Sequence, residues 1–399
     1  MSSQASSTPR SFPFPPADDP LEVEPAYAVL RTEEPVTKVV MPHGGEAWLA
    51  TRYEDVKTVF TDPRLSRSVA ASVKDGPRVS ATPTFGGSVN TMDGEDHVRL
   101  RSIVAPAFTR SSLKKLRPRI QRIADELIDE IVSEGNEADF CSRFTERLPV
   151  ASMCEILGVP FKDRHLFRSW STTVLSNSGV SADQYEEANQ YIHDYVARRI
   201  DESPTEGILG LLVAAREQHR ASNEELMGFA GTLLVGGHST LVSHMTNAFY
   251  LLLSRRALWE QIVSDPAIVE TAADELLRYI PLGVGAGNPR AATEDMELSG
   301  VSIKAGEFVV VARHSANRDA DAFENPDEID LRRVTNPHLG FGFGHHFCAG
   351  AQLARLEMQV ALGTVTQRLP QLQLAVSPDA VRWRTNARER RLIALPVSW

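Results

Sequence analysis

The spacing of hydrophobic residues predicts a chain that is mainly helical. Between residues 97 and 269, apolar side chains recur every three to four positions, which is the period of an α-helix with one buried face. The same spacing returns near the C-terminus. We therefore predict helices over residues 116–134, 140–157, 182–199, 208–218, 223–254, 267–279 and 351–368.

Shorter segments alternate between apolar and polar residues, which favours β-strands. Strands are predicted at residues 37–40 and 47–51 and within 298–311, with a short helix over 54–61. Residues 66–92 are rich in Ser, Gly and Pro and show no period, so they predict a long loop. The fold class expected from this pattern is mainly α with small β-sheets (α+β).

The chain is expected to form one domain behind a mobile N-terminal arm. Residues 1–20 are rich in Ser and Pro, a composition typical of mobile termini. No repeat or low-complexity linker follows, so residues 21–399 are predicted to be a single domain. Hydrophobic residues make up 42% and charged residues 24%, which excludes a disordered, collagen-like or coiled-coil protein.

Charge and cysteine content narrow the class of protein further. With 52 acidic and 42 basic residues the net charge is −10, so we expect no nucleic-acid partner and no anionic membrane surface as partner. We expect no signal peptide, because the N-terminal residues contain no apolar h-region, and no membrane span, because no run of about 18 apolar residues occurs. Three cysteines cannot form a disulfide framework. A cytoplasmic monomer is the expectation.

Familiar catalytic motifs are absent from the sequence. It contains no G-x-G-x-x-G after a strand, no P-loop, no G-x-S-x-G and no H-E-x-x-H. Dinucleotide binding through a Rossmann motif, P-loop phosphate binding, serine-hydrolase chemistry and zinc proteolysis are therefore not indicated. Any chemistry must come from another arrangement of residues.

The segment Phe341-Gly-Phe-Gly-His-His-Phe-Cys-Ala-Gly350 is the most informative stretch of the chain. Its glycines permit backbone conformations that side chains would block, and a predicted helix follows directly. A helix N-terminus presents free N–H groups and a positive dipole end, which stabilise a thiolate. Cys348 is therefore a candidate anionic ligand to iron. The alternative is a buried, inert cysteine in a glycine-rich turn.

With these residues the sequence resembles the cytochrome P450 superfamily. Phe341, Gly344, Cys348 and Gly350 fill its haem-ligand motif Phe-x-x-Gly-x-x-x-Cys-x-Gly. The resemblance runs from about residue 48 to 399 and is specific to the bacterial soluble branch. It implies a triangular helical prism around a buried haem b, with Cys348 as the proximal iron ligand.

Further motifs of the superfamily occur in the expected order. Glu275 and Arg278 match its E-x-x-R pair, which is structural and buried; without the resemblance they would be an ordinary surface pair. His97 and Arg101 match an H-x-x-x-R helix motif. The resemblance implies a set of residues that contact the haem or its propionates: His97, Arg101, Arg290, Phe341, His346 and Gly350.

The predicted helix 223–254 carries the candidate oxygen-side residues. Gly236 and Gly237 cost this helix about 2 kcal/mol relative to alanine, so they serve either a close packing contact or the haem. The resemblance implies that Gly237 makes room for dioxygen and that Thr240 steadies it. Ser239 stands where the superfamily has an acid, and a hydroxyl is a poor proton source at neutral pH. The role of His238 stays open.

Electrons must come from outside, because no flavin or nucleotide module is recognisable. The resemblance implies an external NAD(P)H-dependent ferredoxin reductase and an acidic ferredoxin. Eight basic residues and no acid lie between residues 99 and 122, and they either dock that ferredoxin or form an ordinary solvated helix face. They are Arg99, Arg101, Arg110, Lys114, Lys115, Arg117, Arg119 and Arg122.

The substrate is expected to be a small hydrophobic molecule. The resemblance implies a mostly apolar pocket lined by Leu65, Phe85, Gly86, Val89, Phe229, Leu233, Gly236, Val284, Ala286 and Asn386. The whole chain resembles actinobacterial enzymes of secondary metabolism, in particular those that couple tryptophan-containing cyclodipeptides (diketopiperazines). Such a net dehydrogenation needs no oxygen insertion, which fits the missing acid.

Other functions remain open on the sequence. The main competitor is a hydroxylase or epoxidase of a macrolide or terpenoid. A peroxide-driven peroxygenase would need no redox partner. A haem-thiolate sensor without turnover is the alternative from another class, although the retained Thr240 and the basic segment speak against it.

Overall fold

The computed structural model describes residues 9–80, 89–160, 181–202, 204–283, 287–384 and 389–399, together with Asp163, Leu166 and Thr173. Its contacts divide the chain into two compact units. The first unit contains Met1–Asp96, Glu275–Asp330 and Val334–Cys348, and the second contains His97–Asp274, Leu331–Arg333 and Ala349–Trp399. Helices make up 55% of the residues that the structure describes, which confirms the mainly α class with small sheets.

The secondary structure consists of helices of all lengths and very short strands. The described helices are α1 (Ala26–Glu33), α2 (Tyr53–Thr61), α3 (Arg67–Ser72), α4 (Gly94–Val104), α5 (Arg110–Ser133), α6 (Arg147–Leu157), α7 (Ala182–Asp201), α8 (Gly207–Glu217), α9 (Asn223–Ser254), α10 (Arg256–Ser264), α11 (Val269–Tyr279), α12 (Arg313–Ala316) and α13 (Ala351–Arg368). The described strands are β1 (Arg10–Ser11), β2 (Val36–Val40), β3 (Glu46–Ala50), β4 (Leu65–Ser66), β5 (Glu137–Asp139), β6 (Arg290–Ala292), β7 (Met296–Leu298), β8 (Val301–Ile303), β9 (Phe308–Val311), β10 (Gln373–Leu374) and β11 (Pro396–Ser398).

The first unit is built on a six-stranded sheet in the order β1-β2-β3-β9-β6-β4, with β7 and β8 as a separate hairpin. Strand β3 lies inside the sheet, antiparallel to β2 and parallel to β9. Trp48 belongs to a hydrophobic cluster different from that of Leu49. Because successive side chains of a strand point to opposite faces, both faces of the sheet are covered.

The predicted mobile arm is wrong for residues 10–14. Strand β1 pairs with β2 in parallel, with Arg10 opposite Val39. Phe12 and Phe14 are buried and pack edge to face, with ring centroids 5.6 Å apart. The serines and prolines of the segment predicted mobility. The packing instead depends on its two aromatic rings, which composition alone does not reveal. The single domain over residues 21–399 stays a prediction.

The predicted loop 66–92 is partly ordered as well. Ser66 caps α3 by accepting a hydrogen bond from the backbone N–H of Val69. The Asp93 carboxylate accepts hydrogen bonds from the Ser66 hydroxyl (2.7 Å) and the Ser68 N–H (2.8 Å). Serine content predicted a loop here, but Ser66 is the N-cap that starts a helix.

The second unit is a set of packed helices around α9. Helix α9 contacts α6, α7, α8 and α10, while α5 contacts α6 and α13. A capping box between Ser222 and Glu225 fixes the start of α9 where the sequence predicts it. A three-stranded antiparallel sheet, β10-β11-β5, lies in the same unit. None of the described helices is both long enough and apolar enough to cross a bilayer.

The helix predicted over residues 140–157 is divided in two. A π-helical turn covers Cys141–Thr145, and α6 begins at Arg147. Phe140 stacks on Phe144 with ring centroids 4.9 Å apart. The hydrophobic period alone does not distinguish a wide turn from an α-helical one, so the sequence could not locate this change.

Candidate active site

In the first unit, Cys348 lies at the end of a tightly folded glycine segment. Gly342 and Gly344 have φ angles of +76° and +67°, which other residues rarely adopt. A Cβ at Gly344 would lie 2.9 Å from the Phe60 carbonyl oxygen. The Cys348 N–H donates to the Phe341 carbonyl oxygen at 2.9 Å. The segment therefore fixes the backbone at Cys348 by close approach and by a hydrogen bond.

The three cysteines differ in access. Cys141 and Cys154 are buried, and Cys348 is exposed. Burial raises the pKa of the Cys141 thiol to about 11. A neutral buried thiol is chemically inert, whereas an exposed one can bind a metal centre. Cys348 is thus the cysteine that the structure leaves accessible for ligation.

Arg313, which sequence analysis missed, provides positive charge near Cys348. Its Nη1 donates to the Gly340 carbonyl oxygen at 3.1 Å. Burial lowers the pKa of the Arg313 guanidinium, and the charge of Cys348 acts in the opposite direction. A nearby guanidinium favours the thiolate form of a cysteine. The available sequence signal was an arginine two residues after the end of the apolar strand β9.

Arg290 and His346, both predicted to bind haem propionates, occupy different surroundings in the first unit. His346 Nε2 lies 3.2 Å from Asp93 Oδ1. Burial lowers the pKa of His346, while the bond to Asp93 opposes this shift. Arg290 is 2% exposed and its guanidinium lies over the Phe60 ring at 4.9 Å. Burial lowers the pKa of Arg290 to about 10.

The residues of this unit fit a haem. Arg290 Nη2 is buried and has no hydrogen-bond partner within the described part of the chain. A buried guanidinium nitrogen requires an anionic partner, and a haem propionate is one. An accessible cysteine beside Arg313 supplies the soft anionic ligand that haem iron accepts.

The predicted pair of Glu275 and Arg278 is buried and fully hydrogen-bonded. Arg278 Nε and Nη2 donate to the two carboxylate oxygens of Glu275 at 2.8 and 2.7 Å. Both side chains have no solvent exposure. Arg278 also donates to three backbone carbonyl oxygens, those of Asn317, Pro326 and Glu328. This pair ties α11 to the segments that follow it in the first unit.

In the second unit, α9 exposes one face in its middle. Thr240 is partly exposed, and its hydroxyl donates to the Gly236 carbonyl oxygen at 3.1 Å. A Cβ at Gly236 would meet no atom within 4 Å. Leu233, Gly236 and Thr240 are spaced three and four residues apart, so they share this open face. Helix α4 places His97, 2% exposed, and Arg101 four residues apart in the same unit.

The two glycines of α9 have different environments. A Cβ at Gly237 would overlap the terminal methyl group of Met153 in α6. Gly237 thus allows close packing between α9 and α6. The prediction that it makes room for dioxygen is not supported by this contact, and Gly236 is the glycine on the open face.

Ser239, at the position of the expected acid, contacts an acid from another segment. Its hydroxyl donates to Glu389 Oε2 at 3.4 Å, and the Ser243 hydroxyl donates to the same oxygen at 2.8 Å. Sequence analysis missed Glu389. Buried polar residues at four-residue intervals in the apolar helix α9 were the signal that a polar partner had to be present.

The structure describes five of the ten predicted pocket residues, and their role as pocket walls stays a prediction. Leu65 packs in the hydrophobic core of the first unit, and Phe229 is 2% exposed, so neither side chain faces open space. Val89 is also buried, whereas Leu233 and Gly236 retain exposure. Five predicted residues lie outside the described part: Phe85, Gly86, Val284, Ala286 and Asn386.

Comparisons with known proteins identify the family. The family model for cytochrome P450 matches residues 263–380. Nocardicin C N-oxygenase of Nocardia uniformis subsp. tsuyamanensis is 43% identical over 98% of both chains. Mycinamicin IV hydroxylase/epoxidase of Micromonospora griseorubida is 41% identical over 99% of this chain and 100% of its own.

A solved structure agrees with these relatives. The crystal structure of a cytochrome P450 with biaryl coupling reactivity is similar at a TM-score of 0.92 and 41% identity, over 98% of this chain and 100% of that one. Relatives of this kind use a haem-thiolate cofactor, with a ferredoxin and its reductase as partners. The chain therefore belongs to the cytochrome P450 family and is an oxidoreductase of its monooxygenase class.

Proposed function

We propose that this enzyme oxidatively couples two aromatic units, with a tryptophan-containing cyclodipeptide as the first candidate substrate. The observation that carries the proposal is the full-length similarity to a cytochrome P450 described as having biaryl coupling reactivity. The relatives act in bacterial secondary metabolism. The open, apolar face of α9 around Leu233 and Gly236 suits a flat hydrophobic molecule.

The roles of the site residues follow from their surroundings. Cys348 is the accessible cysteine and is proposed as the iron ligand, with Arg313 favouring its thiolate form. Arg290 and His97 are proposed to hold the propionates. The haem, when bound, supplies the reductive activation of dioxygen. Thr240 is proposed to orient dioxygen, because its hydroxyl is anchored to the Gly236 carbonyl on the open face.

Proton demand does not distinguish coupling from hydroxylation. Coupling of two aromatic C–H groups consumes dioxygen, two electrons and two protons and releases two waters. Hydroxylation of one C–H group consumes the same reagents and releases one water and the alcohol. The absence of an acid at Ser239 is therefore no argument for coupling, contrary to our interpretation of the sequence.

Hydroxylation or epoxidation of a macrolide is the second candidate. It is favoured by the 41% identity to mycinamicin IV hydroxylase/epoxidase over nearly the whole chain. The two candidates differ in product mass. A coupled product weighs the sum of two substrates less two hydrogens, whereas a hydroxylated or epoxidised product weighs one substrate plus one oxygen.

A substrate screen tests the proposal. We expect tryptophan-containing diketopiperazines to displace water from the haem, seen as a spectral shift, and to give a coupled product with NADH, ferredoxin and reductase. The diketopiperazine of two alanines is the matched control and should give neither. If macrolides gave a spectral shift and no aromatic diketopiperazine did, the proposal of coupling would be wrong and hydroxylation would take its place.

Helix α5 is proposed to dock the ferredoxin. Six of the eight basic residues predicted for this role lie exposed on α5: Arg110, Lys114, Lys115, Arg117, Arg119 and Arg122. Arg99 forms an ion pair with Glu225 instead, so it is removed from the proposed surface. Arg119 lies 3.4 Å from Glu155. The remaining charges form a positive surface on an acidic protein, which suits an acidic partner.

Charge reversal at Lys114 and Lys115 is expected to slow electron transfer. In the double variant Lys114→Glu, Lys115→Glu, we expect ferredoxin to reduce the haem about tenfold more slowly at low salt, because the substitutions remove electrostatic steering. The difference should shrink as salt screens the charges. Stopped-flow reduction measures the rate. Arg382→Glu, an exposed cation of the same unit, is the control. An unchanged rate in the double variant would contradict docking at α5.

A further inference from the structure

A buried polar stripe runs along one side of the otherwise apolar helix α9. Ser239, Ser243 and Asn247 follow one another at four-residue intervals and are 4%, 0% and 0% exposed. Residues at this spacing share a helix face. Buried polar side chains require hydrogen-bond partners, so a stripe of three calls for a partner segment that runs beside the helix.

The partner segment is Glu389 and Arg390. The Ser239 and Ser243 hydroxyls donate to Glu389 Oε2 at 3.4 and 2.8 Å. Asn247 Nδ2 donates to the Arg390 carbonyl oxygen at 2.8 Å, which fixes the backbone directly after Glu389. Three turns of the helix thus position one carboxylate beside Ser239. All of these residues belong to the second unit.

We propose that Glu389 acts in place of the helix acid that is missing at position 239, passing protons through the Ser239 hydroxyl. Ser239 directly precedes Thr240 on α9, so the two residues are neighbours along the helix, although their side chains lie on different faces of it. A hydroxyl can accept one proton while it releases another, which a serine needs in order to link a carboxyl group to a more distant acceptor. Glu389 is a positioning residue in this scheme, because it acts through Ser239.

The proton balance of the proposal is simple. Protonated Glu389 donates to Ser239 Oγ, and the hydroxyl proton of Ser239 moves on to dioxygen as it is reduced. Two such transfers accompany the two electrons from ferredoxin for each dioxygen consumed. Glu389 is only partly buried, so solvent can protonate it again after each transfer. The proposal rests on the dioxygen reduction of the family and not on the substrate proposed above.

The variant Glu389→Gln tests the proposal. Glutamine keeps an oxygen that accepts from both serines but has no proton to transfer. We expect NADH oxidation with ferredoxin and reductase to fall at least about tenfold, with a larger solvent isotope effect in D2O. The melting temperature should change little. If the rate and the isotope effect were unchanged, Glu389 would have only a structural role and the proposal would be wrong.

Restoring an acid on the helix separates proton supply from structure. In Ser239→Asp, Glu389→Gln the carboxylate returns to the position usual in the family, and we expect most of the lost rate to return. Failure of this rescue in a protein of wild-type stability would overturn the proposal. Rescue and failure of rescue can both be interpreted whether or not diketopiperazines are substrates, because either substrate class uses the same electron source and the same dioxygen.

Infrared spectroscopy gives a readout without turnover. The difference between wild-type and Glu389→Gln spectra isolates the carboxyl band of Glu389. In Ser239→Ala this band is expected to shift, because the carboxyl group loses a hydrogen-bond donor. A band that stays in place would show that Glu389 and Ser239 are not joined in solution, and the relay would be excluded.

Discussion

Replacing Cys348 with alanine is expected to abolish the haem-thiolate carbon monoxide band of the reduced protein. The residue is the exposed cysteine of the three, it follows a glycine segment held by close backbone contacts, and Arg313 lies near it. Alanine offers no ligand atom, so any haem retained would lack the electron-rich sulfur that defines the spectrum. Optical spectra of the reduced protein with carbon monoxide measure the effect.

Cys141→Ala and Cys154→Ala are the matched controls for this experiment. Both residues are buried in the second unit, and Cys141 lies 3.8 Å from the Thr246 hydroxyl. Their replacement is expected to lower stability through lost packing but to leave the carbon monoxide band in place. If Cys348→Ala kept the wild-type band, the ligand assignment would be wrong and so would every role built around it.

Replacing Arg278 with alanine is expected to destabilise the protein by about 3–5 kcal/mol, the cost of leaving one partner of a buried pair uncompensated. The variant leaves the Glu275 carboxylate without its two guanidinium bonds and three backbone carbonyl groups without their donor. Urea unfolding followed by circular dichroism measures the free energy. Arg278→Lys, which keeps the charge but not the paired geometry, provides a measurable variant if alanine prevents folding.

The chain contains a control with the same spacing and opposite burial. Glu54 and Lys57 also form an i,i+3 pair on a helix, but the Glu54 side chain is 77% exposed. Glu54→Gln is expected to leave the unfolding midpoint unchanged within error, since solvated pairs contribute little. Equal effects of Glu54→Gln and Arg278→Ala would contradict the view that burial gives the Glu275–Arg278 pair its importance.

Features that depend on local spacing were predictable from the sequence. The bounds of α9 and α13 agree with the predicted residues at both ends, because each helix carries a long apolar period. The Cys348 segment and the Glu275–Arg278 pair were recognisable because their residue types and intervals are specific. The family that they indicated is confirmed by the full-length relatives.

Features that depend on distant parts of the chain were not predictable. Glu389 reaches Ser239 across 150 residues, and no local pattern around Glu389 marks it as a partner. The different surroundings of Gly236 and Gly237 are set by Met153, which approaches only one of them. Tertiary contacts of this kind decide which of two equal residues serves packing and which faces open space.

The short strand at the N-terminus has a consequence for the behaviour of the protein in solution. Strand β1 forms the edge of the six-stranded sheet and covers Val39 and Val40 of β2. Open strand edges invite pairing with other chains and are a common origin of aggregation, which two-residue edge strands limit. Trimming the chain beyond residue 9 would uncover this edge and the rings of Phe12 and Phe14, so poor solubility, rather than lost chemistry, is the defect to expect.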